Sequence, residues 1–342
     1  MNDRLHLRLI AILMACIGMA ACDKARNTGS DTIPDTANPA PRLGIVAKSL
    51  GNGFFDAVHK GADEAAAELG MSIIFNGPPT PSAEGQIEVI NALIAQRVDA
   101  IAVSANDPDA LGPSLRKAMQ RGIQVLSFDS AVAIDARNAH LSPSSDALIG
   151  ATCAQLANHA TSGNGSFAVV SATPTSTNQN AWLREMKLAL VKFPGVKLVD
   201  VVYGDDVADK SYRETVGLLK RYPDLAAIVS LSSVGIVAAA KAVEDQGQPG
   251  RIKVTGLGLP SELAGYVRSG TVPEFAIWNP VDLGYSTVQV AAALLRHPQS
   301  TRARSIDAGR MGTILFDQDG VGAMASPFIY NRDNIEQYAG VF

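Results

Sequence analysis

The residues best equipped for chemistry gather at the ends of short apolar runs. Lys48, Asn52, Phe54 and Phe55 follow the run 43–49, Asn106 and Asp107 close the run 99–106, and Asp129 and Ser130 end the run 123–130. Further on, the loop "TPTSTNQNAW" supplies Asn178, Gln179, Asn180 and Trp182. Ser232 and Ser233, then Gly258, then Trp278 and Asn279 stand at later run ends. Carboxylates and amides accept and donate hydrogen bonds in pairs, which suits neighbouring hydroxyls. Aromatic faces pack on the apolar C–H side of a sugar ring. The mixture is the lining of a small-molecule cleft with a taste for polyols. Catalytic signatures are missing: there is no GxSxG, HExxH or CxxC, and "GLGLP" lacks the GxGxxG of a phosphate loop. His59, His140 and His159 read as solvated or structural. The expectation is a binding protein without enzyme activity, cofactor or metal.

Each of these residues also has a plainer use. Asp107 precedes a helix and serves equally as its cap, and Asn178 could cap another. Trp182 in a first helical turn could be core, and Lys48 could be a solvated strand tip. Phe55 joins the helical stripe of Val58, Ala62, Ala65, Ala66 and Leu69, whereas Phe54 lies about 100° round the wheel. Phe54 is therefore expected to face the cleft while Phe55 faces the core. Asp129 ends an apolar strand with no helix directly after it, so capping does not account for it.

The elements that must position these residues alternate regularly. Strand-like runs at 43–49, 71–77, 99–106 and 123–130 are separated by helical patterns at 54–69, 83–96 and 108–121. A second series of runs lies at 166–172, 196–204, 226–232, 252–258 and 274–279. Near-continuous apolar strands alternating with helices predict parallel sheets covered on both faces. The fold class is α/β, with two doubly wound lobes, and ligands in such sheets sit beyond the carboxyl ends of the strands. The length of 342 residues and 47% hydrophobic content allow two such lobes. A net charge of −4 with no basic block argues against a nucleic-acid partner.

The first 42 residues read differently. Arg4 and Arg8 precede the apolar run "LIAILMACIGMAAC", which has signal-peptide length and is short for a membrane span. Met19-Ala20-Ala21-Cys22 resembles the lipobox of bacterial lipoproteins, although Met stands where Leu is usual. That resemblance implies a signal peptide over 1–22, lipid on Cys22, and membrane attachment through it. Asp23 is similar to the retention signal that keeps some lipoproteins on the inner membrane of the periplasm. Residues 23–42 are polar and Pro-rich, as in a flexible tether. Cys153 would then be the only cysteine of the mature domain, a small buried hydrophobe.

The stretches "KSLGNGFF", "NALIAQRVDAIAVSANDPDAL", "KAMQRGIQVLSFDS", "NQNAW", "GLGLP" and "WNPVDLGY" resemble the periplasmic sugar-binding proteins of ABC importers, in the ribose-binding-like group. The resemblance runs from Leu43 to the end and is nearest to rhamnose-binding proteins and autoinducer-2 receptors. It implies a type I periplasmic binding protein: two lobes, joined by three crossings, that close on a monosaccharide like a hinge. By analogy the crossings fall near Leu141–Pro143, near Asn279 and near Leu315–Gly320. One lobe would comprise 43–141 with 280–315, the other 142–279 with 320–342. Asp129, Asn106 and Lys48 would hold hydroxyls from one side, Asn178, Gln179 and Asn279 from the other, and Phe54, Trp182 and Trp278 would clamp the ring. The partners implied are the permease subunits of the transporter, with the receptor itself a monomer. Against the autoinducer-2 receptors, Lys48 and Asp129 match, but Asn178-Gln179 replaces an Asp-Gln pair, Leu231 a Pro and Ser233 an Ala. These departures favour rhamnose or a related hexose, with autoinducer-2 or chemosensory reception as the alternative. A transcription regulator with similar lobes would need a DNA-binding segment where the signal and tether stand.

Overall fold

The computed structural model describes residues 40–297 and 305–342. The expected signal peptide, the lipidation at Cys22 and most of the tether lie outside these residues. Arg42, read from the sequence as the last residue of the tether, is the first residue of a strand, and its N–H donates to Asp99 at 2.7 Å.

In the first lobe, strands β1 (Arg42–Val46), β2 (Ser72–Asn76), β3 (Ala100–Val103), β4 (Gln124–Phe128) and β5 (Ala139–Ser142) alternate with helices α1 (Gly53–Leu69), α2 (Ala83–Ala95) and α3 (Pro108–Gln120). Asn52, Ser82 and Asp107 cap these helices with their side chains, each accepting from the first turn. Gly70 ends α1 in the left-handed conformation, where a Cβ would be strained. The second lobe repeats the scheme with α4 (Asp146–Ala160), β6 (Gly165–Ser171), α5 (Thr177–Ala189), β7 (Val196–Tyr203), α6 (Ala208–Arg221), β8 (Leu225–Ser230), α7 (Ser233–Asp245), β9 (Lys253–Gly256), α8 (Pro260–Ser269) and β10 (Glu274–Ile277). The chain then runs through α9 (Pro280–Arg296), a hairpin of β11 (Ser305–Asp307) and β12 (Thr313–Leu315), β13 (Val321–Ala323), β14 (Phe328–Asn331) and α10 (Ile335–Tyr338).

The first sheet has the order β2-β1-β3-β4-β5-β13, with every pairing parallel. The second has β7-β6-β8-β9, with β10 joined through a parallel bridge at Leu257–Ala276 and carrying β14 antiparallel. Both sheets therefore reverse direction of growth beside their first strand, and that reversal opens the crevice in which such sheets hold ligands. The expected α/β class with two doubly wound lobes is what the structure shows.

Helix α9 returns to the first lobe and packs on α1. A Cβ on Gly61 would collide with the Val281 carbonyl, and one on Gly284 with the Val58 carbonyl, so the two backbones meet through glycine. The chain passes between lobes after β5, after β10 and after β13. The third passage falls later than the 315–320 read from the sequence, because Val321–Ala323 pairs with His140–Ser142 at the edge of the first sheet. A three-residue strand is too short for its periodicity to reveal a partner. Cys153 is fully buried, and burial pushes its thiol up to about 12.

Candidate functional site

Between the facing strand ends lies a small cavity of about 40 Å³. The first lobe contributes Lys48, Asn52, Phe54, Phe55 and Asp129. The second lobe and the connection after β10 contribute Gln179, Trp182, Asp206, Leu231, Ser232, Ser233, Leu257, Ile277 and Trp278.

Asp129 is the best-fixed polar group. It sits just past β4 with φ of 56°, a left-handed conformation that Asp tolerates better than most residues. Ser104 Oγ donates to its Oδ2 at 2.7 Å, and Asn178 Nδ2 donates to its Oδ1 at 2.9 Å. Lys48 Nζ donates to Asn178 Oδ1 at 3.3 Å. One amide therefore bridges an ammonium and a carboxylate of the opposite lobe. A carboxylate at position 178 could accept from Lys48 but could not donate to Asp129. Burial raises the Asp129 carboxyl above its ordinary range; Lys48 and the bonds from Ser104 and Asn178 oppose this, and Asp206 adds to it.

More bonds join the lobes at the start of α5. Thr175 Oγ1 donates to the Asn106 carbonyl at 2.9 Å, Thr177 Oγ1 donates to the Ala131 carbonyl at 3.0 Å, and the Ser130 and Thr177 hydroxyls are 3.0 Å apart. Aromatic rings line the other side. Phe54 meets Phe55 edge-on at 5.2 Å and Trp278 at 6.2 Å, and Trp278 meets Trp182 at 5.4 Å. Trp182 Nε1 donates to Asp146 at 3.0 Å, whereas Trp278 Nε1 is buried with no partner among the described residues. Phe55, on the core stripe of its helix and also a candidate for the cleft, belongs to the core and also lines the cavity.

Seven expected contacts lie outside the cavity lining, each with a local duty instead. Asn106 Nδ2 donates to the Lys48 carbonyl at 2.9 Å, and its backbone N–H donates to Oε1 of buried Gln86 at 2.9 Å, so it ties loops together. Asp107 caps α3, accepting from Asp109 and Ala110, and Asn279 caps α9, accepting from Val281. Asn180 donates to the Pro174 carbonyl. Gly258 has Leu263 and Ile236 pressed where a Cβ would stand. Ser130 joins the lobe seam already described, and Asn178, not a cap since Ser176 holds that position, acts through Lys48 and Asp129.

Sequence reasoning missed Asp206, Leu257 and Ile277 as lining. The signal for Asp206 was present: "YGDD" follows the strand 196–203, and two acids at a strand's carboxyl end deserve the scrutiny given to Asp129. Leu257 and Ile277 lie where their strands end, and nothing in an apolar residue type separates cavity wall from core.

Two lobes enclosing a polar and aromatic cavity suit the binding of a small molecule. Residues 43–299 match the family described as periplasmic binding protein domain, and the chain belongs to that family. It is a binding protein and not an enzyme. The D-ribose/D-allose-binding protein of Pseudomonas aeruginosa is 26% identical over 71% of this chain and 78% of its own length. A solute-binding protein of an ABC transporter from Clostridium phytofermentas, solved with bound L-rhamnose, is 33% identical with a TM-score of 0.85, covering 89% of this chain and 99% of its own. LsrB from Clostridium saccharobutylicum in complex with AI-2 is 22% identical with a TM-score of 0.83, covering 87% of this chain and 99% of its own, a likeness of fold. No helix among the described residues is long and apolar enough to cross a membrane.

Proposed function

We propose that this chain is the extracytoplasmic solute receptor of a sugar ABC importer and holds one monosaccharide, rhamnose or a related hexose, between its lobes. The observation that carries the reading is the pairing of two kinds of wall in one cavity. Asp129 and Lys48 offer charged hydrogen-bonding groups, and Phe54, Trp182 and Trp278 offer ring faces. A pyranose has a hydroxyl rim and an apolar C–H face, and so engages both. The relative solved with L-rhamnose, similar over nearly its whole length, supports this choice of sugar.

Sugar bridging both walls shifts open and closed populations toward closed. The closed receptor then docks on permease subunits, and a lipid on Cys22 keeps it near them, raising its effective concentration. Signal reception remains a second reading because Lys48 and Asp129 suit autoinducer-2 as well; against it stands the amide at Asn178.

A thermal-shift screen of the purified protein tests this. A ligand that binds only the native state raises the melting temperature by mass action. L-rhamnose, L-fucose, D-ribose, D-galactose, D-xylose and autoinducer-2 form the panel. A shift with rhamnose or another sugar, confirmed by calorimetry, supports the importer. A shift with autoinducer-2 alone transfers the role to signalling, and silence across the panel defeats the monosaccharide reading.

A further inference from the structure

We propose that Asp206 is the ligand-contacting, specificity-determining residue of the second lobe, and that it restricts the cleft to uncharged polyols presenting a hydroxyl to each lobe. The inference deepens the sugar reading above and rests on it.

Charge in the cavity wall is unevenly placed. Lys48 and Asp129 belong to the first lobe, and Asp206 is the only charged lining residue of the second among those described. The second lobe's amides are already engaged. Asn178 uses its oxygen toward Lys48 and its nitrogen toward Asp129. The oxygen of Gln179 accepts from Ser171 Oγ at 2.8 Å and from the Ala172 N–H at 2.7 Å. A ligand hydroxyl that reaches this wall needs another strong acceptor, and Asp206 is placed to be one.

Its neighbours hold it for that use. Ser232 Oγ donates to Asp206 Oδ1, and the same Oγ accepts from the Gly235 N–H at 3.1 Å, so the hydroxyl is fixed by the start of α7. Oδ2 of Asp206 carries no hydrogen bond from the described residues. The adjacent Asp205 is drawn away by Lys210. Both acids have φ of 54°, and this turn after β7 brings the second carboxylate to the cavity.

The wall therefore holds two carboxylates and one ammonium, the latter turned to Asn178. A carboxylated or phosphorylated sugar entering a desolvated cleft would meet uncompensated like charge, whereas hydroxyls donate to both acids.

The test is calorimetric titration of the native chain, Asp206→Asn and Asp205→Asn with L-rhamnose, D-ribose, D-galactose and, as anionic probe, D-galacturonate. The native chain is expected to bind a neutral sugar and not galacturonate. Asp206→Asn is expected to weaken that sugar at least tenfold, to narrow its advantage over galacturonate, and to leave the unliganded melting temperature within a degree or two. Asp205→Asn, which disturbs the same turn, should stay within twofold. Unchanged affinity in Asp206→Asn, equal losses in both variants, or tight galacturonate binding by the native chain would each overturn the assignment. If the native chain binds no sugar, the monosaccharide reading itself fails and takes this assignment with it; a native chain that binds while Asp206→Asn is unaffected brings down the assignment alone.

Discussion

The two walls of the cleft do the same job by different construction. In the first lobe, charged groups stand at strand ends whose backbone is tied from behind. Gln86, fully buried, donates to the carbonyls of Ala47 at 2.9 Å and Ser104 at 2.7 Å, and Asn106 holds the Lys48 carbonyl. Lys48 and Asp129 are thus mounted on loops with little freedom, as a preorganised site requires. In the second lobe the amide oxygens are engaged by the structure, and the wall is made of tryptophan, aliphatic side chains, two serines, Gln179 and one acid. On the proposed reading, the first wall sets where hydroxyls must be, and the second closes over what the first has placed. The lesson is that a polar residue at a strand end faces a ligand only when no backbone group nearby needs it first.

The largest effect should come from the first wall. Asp129→Ala removes the carboxylate that would accept ligand hydroxyls and leaves Ser104 and Asn178 without their acceptor. Hydrogen bonds to a charged group contribute about 1.5–3 kcal/mol each, so loss of two weakens sugar at least about 100-fold. Calorimetry on the variant checks the loss, with unliganded melting showing that the fold remains. Near-native affinity would remove Asp129 from the site and invert the comparison between walls.

A middle-sized effect separates the first lobe's stability from its binding. His140 on β5 is buried, with Nδ1 2.9 Å from Ser127 Oγ on the neighbouring strand. Burial first, then the charge of Arg137, lowers it from 6.5 to about 3, against the opposing bond with Ser127. The folded protein therefore refuses a proton that the unfolded chain accepts. Its stabilising share is fully present above about pH 6.5 and is lost as pH falls toward 3, by about 1.4 kcal/mol per pH unit. The raised Asp129 has the opposite sign, since an acid that binds its proton more readily when folded gains stability as pH falls through its raised value. Urea unfolding at pH 7.5 and pH 5 should show the native chain losing about 2 kcal/mol more than His140→Gln, each compared with its own value at pH 7.5. Parallel losses would place the acid sensitivity elsewhere.

These residues also show what the sequence made legible. The alternation of strands and helices marks both lobes, because a buried parallel strand must be apolar almost throughout. Asp129 could be singled out because its type is hard to explain at a strand end by folding alone, and Phe54 because it lies off the core stripe of its helix. Asn106 and Asn279 looked the same on paper and are engaged as a tie and a cap, the use also foreseen for Asp107. Distinguishing them takes knowledge of which backbone N–H and C=O groups lie unpaired within reach, and that is a property of three dimensions. Asp206 escaped because its turn lies on the lobe where amides and rings had already seemed to complete the set. The late third passage escaped because β13 is defined by its partner β5 and by nothing in its own three residues.

The smallest effect lies within the second wall and divides its two tryptophans. Their rings are 5.4 Å apart and both are buried, so replacing either by Phe removes a similar amount of apolar contact. Their N–H groups differ. Trp182 Nε1 donates to Asp146, whose carboxyl burial has raised and this bond partly restores. Trp278 Nε1 has no partner among the described residues. Trp182→Phe should therefore lower unliganded stability by about 1 kcal/mol more than Trp278→Phe, since only the first breaks a made hydrogen bond while the second deletes an unsatisfied buried donor. With sugar present the order should reverse if the ligand is what satisfies Trp278: its affinity falls several-fold in Trp278→Phe and less in Trp182→Phe. Melting curves with and without saturating sugar read both comparisons. Equal behaviour of the two variants in both states would mean that the indole N–H of Trp278 never meets the ligand, and the second wall would then act on sugar through ring faces and Asp206 alone.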